Sequence, residues 1–102
     1  MPWYRAKAAE GFRKFDKEAE KNPKMEWERD ITKMEGFQEY PELVRNELVR
    51  MAKVTYGEPN ERLYLAERMM RELGITDKIP AEKLDSEGYE ALNSVVKGKQ
   101  KA

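Results

Sequence analysis

The chain has 102 residues, enough for one small domain with a single hydrophobic core. Lys plus Arg equals Asp plus Glu at 20 each, so the basic excess typical of domains that bind nucleic acids or anionic membranes is absent. Neither Cys nor His occurs, which excludes disulfides, thiolate metal sites, cysteine nucleophiles and the usual general base of enzymes.

The first predicted helix runs from about Pro2 to Lys21. Its apolar residues recur at spacings of three and four, which places them on one narrow face: Tyr4, Ala8, Phe12, Phe15 and Ala19. Gly11 lies beside this stripe and either weakens the helix or lets a neighbour pack closely.

Asn22 and Pro23 predict the start of a second helix, which Gly36 ends. One side of this helix carries Trp27, Ile31 and Met34. A third helix is predicted from Pro41 to Tyr56, with a broad apolar arc that indicates the centre of the fold. The arc comprises Leu43, Val44, Leu48, Met51 and Val54.

The fourth predicted helix begins at Glu58–Asn60. Gly74 followed by Ile75 predicts where this helix ends, because a glycine just after a helix is typically followed by an apolar residue that packs back against it. After a linker and a single turn over 81–84, Asp85 or Ser86 caps a last helix that ends before Gly98. We therefore predict a helical domain over 1–96 and a flexible basic tail over 97–102.

These elements predict an all-α fold: a single small domain of four to five short amphipathic helices, arranged as an orthogonal array or an irregular bundle. No apolar stretch approaches the ~20 residues that cross a bilayer, and no signal peptide opens the chain. We expect an intracellular, cytoplasmic protein without a membrane partner. Its bias towards Lys and Glu resembles that of hyperthermophile proteins, although helical proteins favour the same residues.

Enzyme signatures are absent: the sequence has no phosphate-binding glycine loop, no nucleophile elbow and no zinc-protease motif. Carboxylates at Glu18, Glu26 and Asp30 have spacings that suit Mg²⁺, yet most Glu residues lie three or four positions from a Lys or Arg and predict solvated ion pairs. We expect neither catalytic residues, nor a cofactor, nor a metal.

Glu47 falls inside the apolar arc of the third helix, where an unpaired carboxylate is costly. Three outcomes are open. Glu47 reaches solvent at the edge of the face, pairs with Arg50 or Arg62, or occupies a pocket with a raised pKa as a functional group.

The sequence favours a non-enzymatic interaction or regulatory module, such as an adaptor, an inhibitor or a small assembly subunit. Its expected partner is another protein or a second copy of the chain. The candidate surface combines an aromatic residue, a carboxylate and arginines: Trp3, Arg5, Glu47, Arg62, Arg68 and Arg71.

The alternative is a DNA- or RNA-binding protein that uses a helix-turn-helix-like hairpin over 44–73. Gly57 would lie in the turn, and the arginines of the fourth helix would face the phosphates. The same helix also carries four glutamates, which favours a plain helical hairpin.

Overall fold

The computed structural model describes residues 2–75, 79–80 and 84–101, with side chains for all of these except 85 and 99–101. The predicted all-α class is confirmed, and the described ranges contain no strand. Their α-helices are α1 (Trp3–Glu20), α2 (Pro23–Glu28), α3 (Glu42–Tyr56), α4 (Pro59–Glu72) and α5 (Tyr89–Lys101). None of these helices is long and apolar enough to cross a bilayer.

The stripe predicted for α1 faces the interior, where Ala8, Phe15 and Ala19 are fully buried. Gly11 serves close packing: a Cβ atom at this position would lie 3.1 Å from the hydroxyl oxygen of Tyr40. The glycine therefore lets the Tyr40 side chain approach the helix.

The second helix is much shorter than predicted. Asn22 caps α2 as expected, because its side-chain oxygen accepts the backbone N–H groups of Lys24 at 3.1 Å and Met25 at 3.3 Å. The helix nevertheless ends at Glu28, since Arg29 adopts a left-handed conformation with φ 52°. The prediction of one helix as far as Gly36 is wrong, and two 3₁₀ turns, Ile31–Lys33 and Phe37–Glu39, follow instead.

This break divides the side chains that the sequence placed on one face. Ile31 and Met34 are buried with α1 and α3, whereas Trp27 packs against the cluster formed by α4 and α5. The short helix α2 packs on α1, α4 and α5, and so occupies the centre of the fold. The prediction that the third helix is central is therefore wrong, and two members of its apolar arc, Leu43 and Val54, are exposed.

Helices α3 and α4 are consecutive but pack on different partners. The main partner of α3 is α1, while α4 packs on α2 and α5. The two helices of the alternative hairpin over 44–73 therefore have their main packing partners elsewhere in the fold. The stop of α4 is as predicted: Gly74 has φ 75°, and Ile75 is buried against the end of the helix.

A π-helical turn, Leu84–Gly88, leads directly into α5. Helical backbone therefore begins before the predicted cap at Asp85 or Ser86, and it continues past Gly98, where the sequence predicted its end. The predicted linker lies largely outside the described residues, since it includes 76–78 and 81–83. The division into a domain over 1–96 and a tail over 97–102 stays a prediction.

The buried apolar residues form two clusters rather than the single core expected from length. The first cluster joins α1, the 3₁₀ turns and α3: Ala8, Phe15, Ile31, Met34, Phe37, Val44, Leu48 and Ala52. The second joins α4 and the C-terminal segment: Ala66, Met70, Ile75, Tyr89 and Leu92. The molecule is correspondingly elongated, with a radius of gyration of 15.4 Å, against about 13 Å for a compact domain of this length.

Candidate functional site

The two clusters meet at a group of polar side chains around Tyr56, the last residue of α3. The Phe12 ring stacks on the Tyr56 ring with centroids 5.8 Å apart. The guanidinium carbon of Arg29 lies 4.7 Å from the Tyr56 centroid, and that of Arg62 lies 5.7 Å from it. Asp16 completes this group, which we call the Tyr56 joint: Asp16, Arg29, Tyr56 and Arg62.

Hydrogen bonds tie the joint to four helices. The Tyr56 hydroxyl donates to Asp16 Oδ1 at 2.6 Å, and Arg29 Nη1 donates to the same oxygen at 3.0 Å. From α4, Arg62 donates through Nε to the Trp27 carbonyl at 3.0 Å and through Nη1 to the Tyr56 carbonyl at 3.1 Å. These carbonyls lie in the last turns of α2 and α3, so Arg62 places a cation where both helix dipoles are negative.

Burial and electrostatics shift the ionisation of two groups in the joint. Burial raises the pKa of the Tyr56 hydroxyl, and the hydrogen bond to Asp16 raises it further, while the charge of Arg29 opposes both effects. Burial also lowers the pKa of Arg62, and the neighbouring Arg29 charge adds to this effect. The guanidinium groups of Arg29 and Arg62 both lie over the Tyr56 ring. The carboxylate of Asp16 forms an ion pair with Arg29.

The raised pKa of Tyr56 predicts how stability depends on alkaline pH. The tyrosine of the unfolded chain ionises first, at about pH 10, so its contribution to folding is complete below that pH and is lost as pH rises through the higher folded pKa. We expect Tyr56→Phe to lower the free energy of unfolding by about 1 kcal/mol at pH 8. The difference from the wild type should shrink above pH 10.

Urea titrations of both proteins between pH 8 and pH 11 test this dependence, with Tyr64→Phe as an exposed control. A difference between wild type and Tyr56→Phe that stays constant or grows over this range would contradict the assigned direction of the shift.

A cavity of about 240 Å³ adjoins the joint between α2, α4 and α5. Its walls carry three cationic side chains, one carboxylate, an amide, an indole and one aliphatic side chain: Arg29, Arg62, Lys97, Glu26, Asn93, Trp27 and Val96. The Trp27 Nε1–H group donates to Asn93 Oδ1, and Asn93 Nδ2 donates to Glu26 Oε2 at 3.4 Å. We call this space the Trp27 cavity.

Three of the predicted surface residues belong to the beginning of α1 and the middle of α3: Trp3, Arg5 and Glu47. Trp3 is 57% exposed and packs edge-on against Tyr4. Glu47 forms an ion pair with Arg50, whose hydrogen bond lowers the pKa of Glu47, and the charge of Arg5 contributes in the same direction. Of the three outcomes considered for Glu47, pairing with Arg50 is the one that the structure shows, and the lowered pKa of Glu47 is opposite in direction to the shift considered for a functional pocket.

The three arginines of α4 have different environments. Arg62 belongs to the Tyr56 joint and is not part of an exposed surface. Arg68 forms an ion pair with Glu72 at 3.2 Å on the outside of the helix. Arg71 is exposed and makes no ion pair with any residue that the structure describes. The six residues predicted as one surface are therefore distributed over three regions.

Exposed apolar side chains occur at intervals of four residues along α4 and at the residue that caps its C-terminal end. Leu65 is 53%, Met69 36% and Leu73 39% exposed, and their spacing places them along one side of the helix. We call them the α4 ladder. Tyr64, the residue before Leu65, is also exposed. Met69 and Leu73 lie off the buried face of α4, which is formed by Ala66 and Met70.

Within the described ranges, no group of three or more acidic side chains is placed to hold a metal ion. No protein-family model, curated protein or solved structure matches this chain. The joint, the Trp27 cavity and the α4 ladder are thus the features on which a function can be argued.

Several residues of the joint and the cavity were not predicted as functional. The sequence did not indicate that Arg29 has a left-handed backbone conformation, because Gly or Asn usually occupies such positions. Trp27 was expected on a core face, and Asn93 and Lys97 lie on a helix whose packing the sequence does not specify. The position of Tyr56 could have identified it as a candidate. It is an aromatic residue with a hydroxyl group, and it directly precedes the glycine that ends α3.

Proposed function

We propose that the chain is a non-enzymatic interaction module that associates through the α4 ladder with a second copy of itself. The observation that carries this proposal is the exposure of Leu65, Met69 and Leu73 at successive four-residue intervals. A ridge with this spacing fits the grooves of an identical helix, because i±4 ridges pack into i±4 grooves in the commonest class of helix pairs.

Charge supports a second copy as the partner. The net charge of the chain is zero, so no long-range repulsion opposes association of two copies. Helix α4 carries charges of both signs on the side next to Leu65, namely Glu61 and, two turns further along, the Arg68–Glu72 ion pair. Two such sides can meet with opposite charges facing one another, whereas nucleic acids and anionic membranes require a predominantly basic surface.

The size of the ladder predicts a weak association. Three half-exposed side chains form a patch much smaller than the roughly 800 Å² per partner of a standard interface. We therefore expect a reversible homodimer with a dissociation constant above about 1 µM.

Sedimentation equilibrium over a range of concentrations tests this proposal. The wild-type mass should rise from 12.0 kDa towards twice that value as concentration increases. The double variant Leu65→Glu with Met69→Glu should remain monomeric, because two carboxylates would be buried against apolar groups. Circular dichroism verifies that the variant is folded.

Val54→Glu is the matched control, since Val54 is 77% exposed on α3 and lies outside the ladder. It should dimerise like the wild type. A wild type that stays at the monomer mass at millimolar concentration would overturn self-association, and equal loss of dimer in Val54→Glu would overturn the assignment to α4.

A further inference from the structure

The charges around the Trp27 cavity do not balance. Arg29 is neutralised by Asp16 at 3.0 Å. Arg62 and Lys97 also reach the cavity, and neither forms an ion pair with a residue in the described part of the chain. Glu26 supplies the single carboxylate of the wall. The charged side chains of the wall, with Asp16 counted against Arg29, therefore sum to one positive charge, carried by the partly buried Arg62 and the exposed Lys97.

The rest of the wall is suited to an apolar group. The Trp27 indole and the Val96 side chain contribute apolar surface. The indole is held in place through Asn93, which is itself bonded to Glu26. A wall whose orientation is fixed in advance loses less entropy when a ligand binds. The cavity has a volume of about 240 Å³. Typical ligand pockets have volumes of roughly 300–1,000 Å³, so this cavity suits a smaller molecule than they bind.

We propose that the Trp27 cavity binds a small organic monocarboxylate, with its carboxylate between Arg62 and Lys97 and its apolar body against Trp27 and Val96. One negative charge on the ligand matches the one unbalanced positive charge of the wall. Arg62 already donates through Nε and Nη1 to the carbonyls of Trp27 and Tyr56, so its Nη2 group would donate a charge-assisted hydrogen bond to the ligand carboxylate. This site is independent of the α4 ladder, so either proposal can fail without the other.

Fluorescence of Trp27 provides the measurement. The chain contains two tryptophans, and Trp3→Phe leaves Trp27 as the reporter. We would titrate this variant with cyclohexanecarboxylate and, in parallel, with cyclohexanecarboxamide, which has the same shape without the charge. The carboxylate should produce a saturable change in the millimolar range, and the carboxamide should bind at least about tenfold more weakly.

A second pair of variants separates binding from folding. Lys97→Gln alters an exposed residue of α5 and should raise the dissociation constant about threefold to tenfold without changing the unfolding transition. Arg71→Gln removes an exposed cation of α4 that does not line the cavity, and it should leave binding unchanged. Arg62→Gln should abolish binding. If Arg62→Gln does not fold, the dissociation constant of Lys97→Gln still tests whether the cavity binds the carboxylate.

Inorganic phosphate is the third probe, since it carries charge without an apolar body. It should bind more weakly than the carboxylate. Equal responses to carboxylate and carboxamide, a tighter response to phosphate, or an unchanged dissociation constant in Lys97→Gln would each overturn the proposal.

Discussion

Replacing Phe15 by Ala should lower the free energy of unfolding by about 3–5 kcal/mol. Phe15 is fully buried in the first cluster, where its ring centroid lies 6.4 Å from that of Phe12. The substitution removes apolar surface from the cluster and leaves a cavity that helices α1 and α3 cannot close without moving. Because small domains are stable by only about 5–15 kcal/mol, the variant should be close to unfolded at 37 °C.

Urea denaturation followed by circular dichroism measures this loss. Val54→Ala serves as the control, since an exposed valine on α3 should change stability by less than about 0.5 kcal/mol. A loss below about 1 kcal/mol for Phe15→Ala would show that the first cluster is not packed as described.

The second large effect is expected at the Tyr56 joint, where Arg62→Met should cost about 2 kcal/mol. Methionine retains an apolar stem but cannot donate to the carbonyls of Trp27 and Tyr56. The ends of α2 and α3 would then lose their shared cation, and the second cluster would lose its polar connection to the first. This cost lies in the lower part of the range for charged hydrogen bonds, because Arg62 is only partly buried and water screens its charge.

Two probes distinguish this outcome from a general loss of stability. In the Trp3→Phe background, Trp27 fluorescence reports on the second cluster, and circular dichroism reports on all helices. Their unfolding transitions should coincide in the parent protein and separate in Arg62→Met. Arg71→Met, an exposed substitution on the same helix, should leave both transitions in place. A change below about 0.5 kcal/mol in Arg62→Met would contradict a structural role for the joint.

Local signals predicted most of the helices and several of their ends. The stripe of α1 is buried as its spacing indicated, and Asn22 caps α2. Gly74 ends α4 with Ile75 packed against it. Each of these features depends on residues within about four positions of one another, so the sequence contains the information that decides them.

The errors arose where distant residues decide the local backbone. Nothing near Arg29 indicates a helix end, yet its left-handed conformation is stabilised by contacts with Asp16 and Tyr56, which lie 13 and 27 positions away. Periodicity also overestimated the buried arc of α3, because Leu43 and Val54 extend beyond the area that α1 covers. The candidate arginines of α4 share one helix but not one environment.

By itself, the sequence determined the all-α class, the absence of the usual catalytic groups, and the helix starts and stops that rest on capping residues, proline and glycine. The tertiary structure decided that the core divides into two clusters, that α2 rather than α3 lies at the centre, and that Arg62 joins helix ends while Leu65, Met69 and Leu73 face solvent. The physical reason is the range of the interactions. Capping and amphipathic periodicity act over one or two helical turns, whereas the side of a helix that is covered depends on which other helix packs there.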